Sequence, residues 1–222
     1  MTVRTGVCGV VVDLLERLDP VHAQDDGWHD DDRSEDREHD AERCHDAELT
    51  QALELLSAEE CPDETMDIVI APTHCKKQLE KLKVKKIIEL NAGKDTEING
   101  VEIKAVVSYN INKFNDVGEL CHTKKYGGVG YIITIDKIKI YNLGDTDNIN
   151  EFDNIEKNID IALVPVSGTY VMTANEAAEA VNRIRPKIAI PMHYNSIVGS
   201  VNDAREFKNL ARCNVKILRP YE

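Results

Sequence analysis

Asn99-Gly100, set between the alternating pairs Thr96/Ile98 and Val101/Ile103, constrains this chain more than any other dipeptide in it. Asn and Gly both accept the left-handed φ of a type I′ turn, and the alternation on either side marks two half-buried strands. A second hairpin is expected around Asp136-Lys137, joining residues 129–135 to 138–143. Hairpins demand antiparallel pairing, which an ordinary doubly wound α/β domain does not supply. The remainder after Met66 alternates strands with helices. Strands are expected at 67–71, 85–90, 104–109, 161–166, 187–191 and 215–218. Helices are expected at 72–82, behind a Thr173/Glu176 capping box, and at about 202–212. The second would bury Ala177, Ala180, Val181 and Ile184, and the third Ala204, Phe207 and Leu210. The fold class is therefore α/β, of the mixed α+β kind.

Composition divides the chain before residue 66. Residues 1–65 hold 20 Asp/Glu and 5 Arg, whereas 66–222 hold 20 Asp/Glu and 22 Lys/Arg, so the net charge of −13 arises wholly in the first segment. That segment contains no Lys, Ile or Asn, residues that are common afterwards and whose codons are rich in A and T. A fusion, a replaced stretch or a reading-frame artefact is expected there, with a native acidic extension as the alternative. Two units follow: an acidic, largely disordered or foreign segment at 1–65, and a domain at 66–222. Residues 19–48 are too charged to offset their ordering entropy, while 47–60 have the spacing of a short amphipathic helix.

Several function classes drop out. An acidic chain without a basic cluster does not suit nucleic acid. The apolar run at 7–18 is short and interrupted by Asp13, Glu16 and Arg17, so no membrane span is expected. Six scattered cysteines with no Cys-x-x-Cys pair fit a reducing cytoplasm.

Three residues stand at element ends. Asp145 lies in Gly144-Asp145-Thr146 after one apolar run, and His193 in Pro191-Met192-His193 after another. His122 lies in the polar loop 110–127, shortly before Gly128-Val-Gly-Tyr131. One carboxylate and two imidazoles suit zinc, manganese or iron(II). A lone histidine at a strand end is more often structural, and the three together bring the two readings level.

A series of stretches follows one family order: Asp67-Ile-Val-Ile-Ala-Pro72, Glu97-Ile-Asn-Gly-Val-Glu-Ile103, Val107-Ser-Tyr-Asn-Ile-Asn-Lys113, Gly128-Val-Gly-Tyr-Ile132, Ile140-Tyr-Asn-Leu-Gly-Asp-Thr-Asp147, Leu163-Val-Pro-Val-Ser-Gly-Thr-Tyr170, Ala174-Asn-Glu-Ala-Ala178 and Ala189-Ile-Pro-Met-His-Tyr194. On these, residues 67–218 resemble the C-terminal two-thirds of a metallo-β-lactamase-fold hydrolase, of the branch related to L-ascorbate-6-phosphate lactonase. The resemblance implies a four-layered αββα sandwich with a divalent-metal site at one sheet edge. It implies zinc, manganese or iron, up to two ions, and a small ester, lactone or phosphoester as substrate. Asp145 would bridge the metals and hold the attacking water, His193 would bind the second metal and His122 the first. His122-Thr123-Lys124 departs from the family's His-Pro-Lys at this place. Lys113 and Lys124 would either contact an anionic substrate or solvate their loop, and oligomerisation is left open.

The family's His-x-His-x-Asp-His motif is missing. His29-Asp30-Asp31-Asp32, His39-Asp40 and His45-Asp46 have the residue types without the spacing. The metal site is therefore expected to be incomplete, the first sheet to lack its N-terminal strands, and the chain to be marginally stable. The alternative function is a non-catalytic scaffold whose acidic segment binds a basic partner.

Overall fold

The computed structural model describes residues 2–6, 9–13, 66–81, 84–115, 118–195 and 198–218, the first two stretches and residues 66–67 as backbone. The acidic stretch at 19–48, the amphipathic spacing at 47–60 and the three His-Asp clusters lie outside them.

The hairpins form as their turn residues dictate. Asn99 and Gly100 take φ of 51° and 80°, the two positive values that a type I′ turn requires. They join β5 (Asp95–Ile98) to β6 (Val101–Val107), with Ile98 opposite Val101. Asp136 and Lys137, at φ 48° and 70°, join β7 (Val129–Ile135) to β8 (Ile138–Asn142) in the same way. From β8 onward the pairing becomes parallel, through β9 (Ile161–Pro165), β10 (Ile188–Met192) and β11 (Asn214–Val215). These seven strands form one sheet in the order β11-β10-β9-β8-β7-β6-β5. The other sheet has the order β1-β2-β3-β4, built from Thr2–Gly6, Gly9–Asp13, Met66–Ala71 and Val84–Glu89.

Period-two burial faces the sheets toward each other. In β6, Val101, Ile103 and Ala105 point inward while Glu102 and Lys104 face solvent. They pack with Val129, Tyr131 and Ile133 of β7 against Ile70 and Leu90 beside the first sheet. Each such aliphatic side chain contributes about 1.5–3 kcal/mol when buried. The outer face of the second sheet is covered by α2 (Ala174–Ile184) and α3 (Val201–Leu210), whose Ala177, Ala180, Val181, Ile184 and Phe207 meet Tyr141, Ala162, Val164 and Ala189. Cys75 and the short α1 (Lys76–Leu79) cover Val69 and Ala71 on the first. The layers are α, β, β, α, as the resemblance implied. Among the described residues no helix is long and apolar enough to cross a membrane.

Element lengths differ from expectation in four places, the first being β6, which stops at Val107 rather than 109. The helix expected at 72–82 is a 3-10 turn (Thr73–Cys75) followed by the four residues of α1, which has no side-chain cap and buries only Leu79. The last helix stops at Leu210, whose side chain is exposed rather than inward. The closing strand is Asn214–Val215, and Leu218 stands exposed beyond it. The N-terminal segment also supplies what an open first sheet would have lacked. The β1-β2 hairpin lies along β3, with Val10 opposite Ile70 and Val11 opposite Val69.

Candidate metal site

Strands β8, β9 and β10 run parallel, so their C-terminal ends share one edge of the sheet, the edge where α/β sheets place ligands. Because β7 is antiparallel to β8, the loop leading into β7 reaches the same edge.

Asp145 leaves β8 through Leu143-Gly144. Gly144 has φ 68°, and a Cβ there would lie 2.7 Å from the Val129 carbonyl oxygen and 3.1 Å from Ser108 Oγ. Only glycine fits so close to a neighbouring strand. The Ser108 hydroxyl donates to the Asp145 carbonyl at 2.8 Å, which fixes the turn and buries the carboxylate. His193 leaves β10 with φ 56°. A non-glycine residue in that region costs roughly 1–3 kcal/mol and persists only where its surroundings hold it. Its Nε2 lies 3.2 Å from Asp145 Oδ1, and its side chain remains one-third exposed, giving the pair access to solvent.

A second acidic residue holds the neighbouring loop. Asp147 Oδ2 accepts from the backbone N–H groups of Ile111 (2.6 Å) and Asn112 (3.0 Å). Its Oδ1 pairs with Lys113 Nζ at 3.1 Å, and Lys113 pairs in turn with Glu176 at 2.9 Å. Glu176 is also the capping-box residue of α2, accepting from the Thr173 backbone N–H at 2.8 Å. Burial works to raise its pKa. The Thr173 N–H, Lys113 and Asn112 outweigh that and bring it from the ordinary 4.5 down to about 2. The Lys113 side chain is 8% exposed and enclosed between Asp147 and Glu176, so it does not simply solvate its loop. Lys124 reaches Glu151 at 2.6 Å and lies 4.8 Å above the Tyr109 ring.

His122 is buried and has φ 40°. Its carbonyl accepts from the Asn110 backbone N–H at 2.9 Å, and Asn110 Nδ2 lies 3.0 Å from its Nδ1. The same Nδ2 donates to the Tyr170 carbonyl at 2.6 Å.

The structure thus brings Asp145 and His193 together. It does not join His122 to them in a ligand set, for among the described residues no group of three or more His, Cys, Asp or Glu could hold a metal. A carboxylate oxygen beside an imidazole nitrogen suits a divalent ion in kind. In number the described donors fall short of the three protein ligands of a catalytic zinc. Ser108, Asn110, Asp147 and Glu176 were missed as parts of the site. For Ser108 and Asn110 the only signal was the density of polar residues in 108–113, at the end of a strand; Asp147 stood two residues beyond Asp145, and Glu176 was read only as a capping residue.

A sequence profile of the β-lactamase superfamily domain matches residues 36–193, starting upstream of residue 67. The chain is 34% identical over 142 residues to a UPF0173 metal-dependent hydrolase of Thermococcus onnurineus, covering 61% of this chain and 59% of that protein. With its counterpart from Pyrococcus furiosus it shares 35% identity over 150 residues, covering 64% and 63%. The chain therefore spans about three-fifths of the length of these relatives. Among solved structures, a candidate metal-dependent hydrolase from Parabacteroides distasonis superposes with a TM-score of 0.55 and 31% identity, over 70% of this chain and 65% of that one. The metallo hydrolase Igni18 from Ignicoccus hospitalis has the same fold, with a TM-score of 0.58 and 22% identity over 80% and 74%.

Proposed function

The chain belongs to the β-lactamase superfamily, and on that premise we propose that it carries the C-terminal part of a metal-dependent hydrolase centre. The substrate we assign is a small ester, lactone or phosphoester, as in the ascorbate-phosphate lactonase branch, and the compartment is the cytoplasm. The observation that supports this reading is the contact between Asp145 Oδ1 and His193 Nε2 at the strand-end edge. Of the three residues expected to bind metal, we assign these two to a divalent ion, zinc first. The ion would supply Lewis-acid activation of water, whose pKa falls to about 7 on such a centre.

The protein's own residues prepare the place. Gly144 lets the turn pass under Val129, Ser108 ties down the Asp145 backbone, and the positive φ of His193 turns its imidazole back toward Asp145. The Asp147–Lys113–Glu176 chain holds the start of the facing loop against the same turn.

Metal content tests the proposal. The full chain, loaded with zinc or manganese and dialysed, should retain metal, and Asp145→Ala and His193→Ala should lose it while keeping their far-UV circular dichroism. A folded wild-type chain that emerges metal-free overturns the reading. It would favour the second one, a scaffold whose acidic segment binds a basic partner, which draws on the two-donor count among the described residues.

A further inference from the structure

We infer that Asp147 is a positioning residue for the metal centre. Its carboxylate is a built-in anion that fills a cradle made by the backbone N–H groups of Ile111 and Asn112 and the ammonium of Lys113, and so holds the Asp145 turn to the loop facing it. Its effect on metal affinity rests on the site proposed at Asp145 and His193; the cradle itself stands on contacts within the chain.

Asp147 stands two residues beyond Asp145 and has the side chain of a ligand, so its partners decide its role. Oδ2 accepts from two successive backbone N–H groups, Ile111 at 2.6 Å and Asn112 at 3.0 Å. Successive N–H groups aimed at one point form an anion-binding concavity, and hydrogen bonds to an ionised acceptor are roughly twice as strong as neutral ones. On the other side, Lys113 Nζ lies 3.1 Å from Oδ1, and the Asp147 side chain is 3% exposed. A cation therefore already stands against the second oxygen, and its charge repels a metal ion from that place. One oxygen is engaged by hydrogen bonds and the other by an ion pair, so Asp147 holds structure rather than metal.

The cradle is braced from behind. Lys113 Nζ also donates to Asn112 Oδ1 and to Glu176, at 3.1 and 2.9 Å from its two carboxylate oxygens. Asn112 Nδ2 donates to Glu176 Oε1 at 3.1 Å. Both contacts anchor the cradle to the first turn of α2. Toward Asp145 the two segments are joined residue by residue. The Asp147 N–H donates to the Tyr109 carbonyl at 3.0 Å, the Tyr109 N–H lies 3.4 Å from Thr146 Oγ1, and the Ser108 hydroxyl donates to the Asp145 carbonyl at 2.8 Å. Among these joints the one at the Asp147 carboxylate is charged. Removing it leaves two N–H groups and an enclosed ammonium without their anion, and frees the end of the loop that aligns Asp145. Loss of such outer supports typically lowers metal affinity about 10–100-fold.

Formate, a free carboxylate, is the probe. In proton–nitrogen spectra of the full-length, metal-free chain, formate should leave the Ile111 and Asn112 amides of the wild type in place. Asp147→Ala should move both upfield and displace the amides of Asp145 and Thr146. Sodium formate should bring all four back, and sodium chloride at equal ionic strength should not. Variant amides that ignore formate, or wild-type amides that follow it, overturn the cradle. Zinc affinity reads the consequence. Asp147→Ala should bind zinc about tenfold or more weakly than the wild type, and formate should restore most of the loss. Unchanged affinity, or a loss that formate restores no better than chloride, overturns the positioning role. If Asp147→Ala does not fold, Asp147→Asn keeps an oxygen for the two N–H groups and removes the charge facing Lys113. It should move the same amides upfield and weaken zinc by about threefold, part of the full loss; wild-type positions and affinity would count against the inference. If zinc binds neither the wild type nor a variant, the metal site fails, and the cradle with its hold on Asp145 is decided by the formate spectra.

Discussion

At the scale of single residues, backbone approach decides most at this site. A Cβ on Gly130 would meet the carbonyl oxygens of both Asn142 and Leu143 at 2.6 Å. These are backbone atoms of the strand end that carries Asp145, so neither can swing aside. Gly130→Ala should cost about 1–3 kcal/mol, in the range of overpacked cores, and should loosen the Asp145 turn. Urea unfolding checks the first effect and metal retention the second; an unchanged midpoint would contradict the steric argument. Lys113 tests charge in place of shape. Lys113→Met leaves the nearly inaccessible Asp147 without its counter-ion, and breaking such a buried pair costs about 3–5 kcal/mol, again read by urea unfolding. Asp145 and His193 were legible because each stands directly behind an apolar run, where a strand end is easy to place. Asp147 and Lys113 were not. The backbone groups that hold Asp147 lie 36 and 35 residues away along the chain, and no local pattern announces that a loop lysine will be enclosed between two carboxylates.

At the scale of elements, turns and caps were read correctly because their chemistry is local. Asn99-Gly100 and Asp136-Lys137 take the positive φ their hairpins need, and both bonds of the Thr173/Glu176 capping box form. Lengths were read less well, since packing rather than propensity decides where an element stops. Leu210 fits the helical spacing and yet points to solvent, since α3 has already passed its last inward residue at Phe207. Glu176 joins this scale to the first, as it caps α2 and also binds Lys113. Its folded pKa, about 2, lies below the ordinary 4.5. A depressed carboxylate contributes stability that is fully present above the unfolded value and is lost as pH falls through the folded one. Unfolding free energy should therefore decline as pH drops from 4.5 toward 2. Glu176→Gln should be less stable at pH 6 and should lack that part of the decline. Parallel wild-type and variant profiles across this window would show that Glu176 is not the group responsible.

At the scale of the whole molecule, the second sheet is continuous in the described sequence from β5 to β11, whereas half of the first comes from the segment that composition sets apart. The sandwich was legible through the order of motifs after residue 66. The N-terminal hairpin was not, because strands β1 and β2 sit in a stretch whose only structural hint was an interrupted apolar run. Their placement makes them structural partners of β3, whose Val69 and Ile70 face opposite sides of the sheet and are both buried. Deleting residues 1–13 would turn β3 into an exposed edge, with a row of unpaired N–H and C=O groups beside apolar faces. Such edges recruit other strands. The truncated chain should melt roughly 5 °C or more below the full chain, given the few degrees that each kcal/mol moves a protein of this size. It should also elute increasingly as large species in size-exclusion chromatography as its concentration rises. Elution and melting identical to the full chain would show that β3 and β4 hold without the hairpin, and that the compositional boundary is a structural boundary as well.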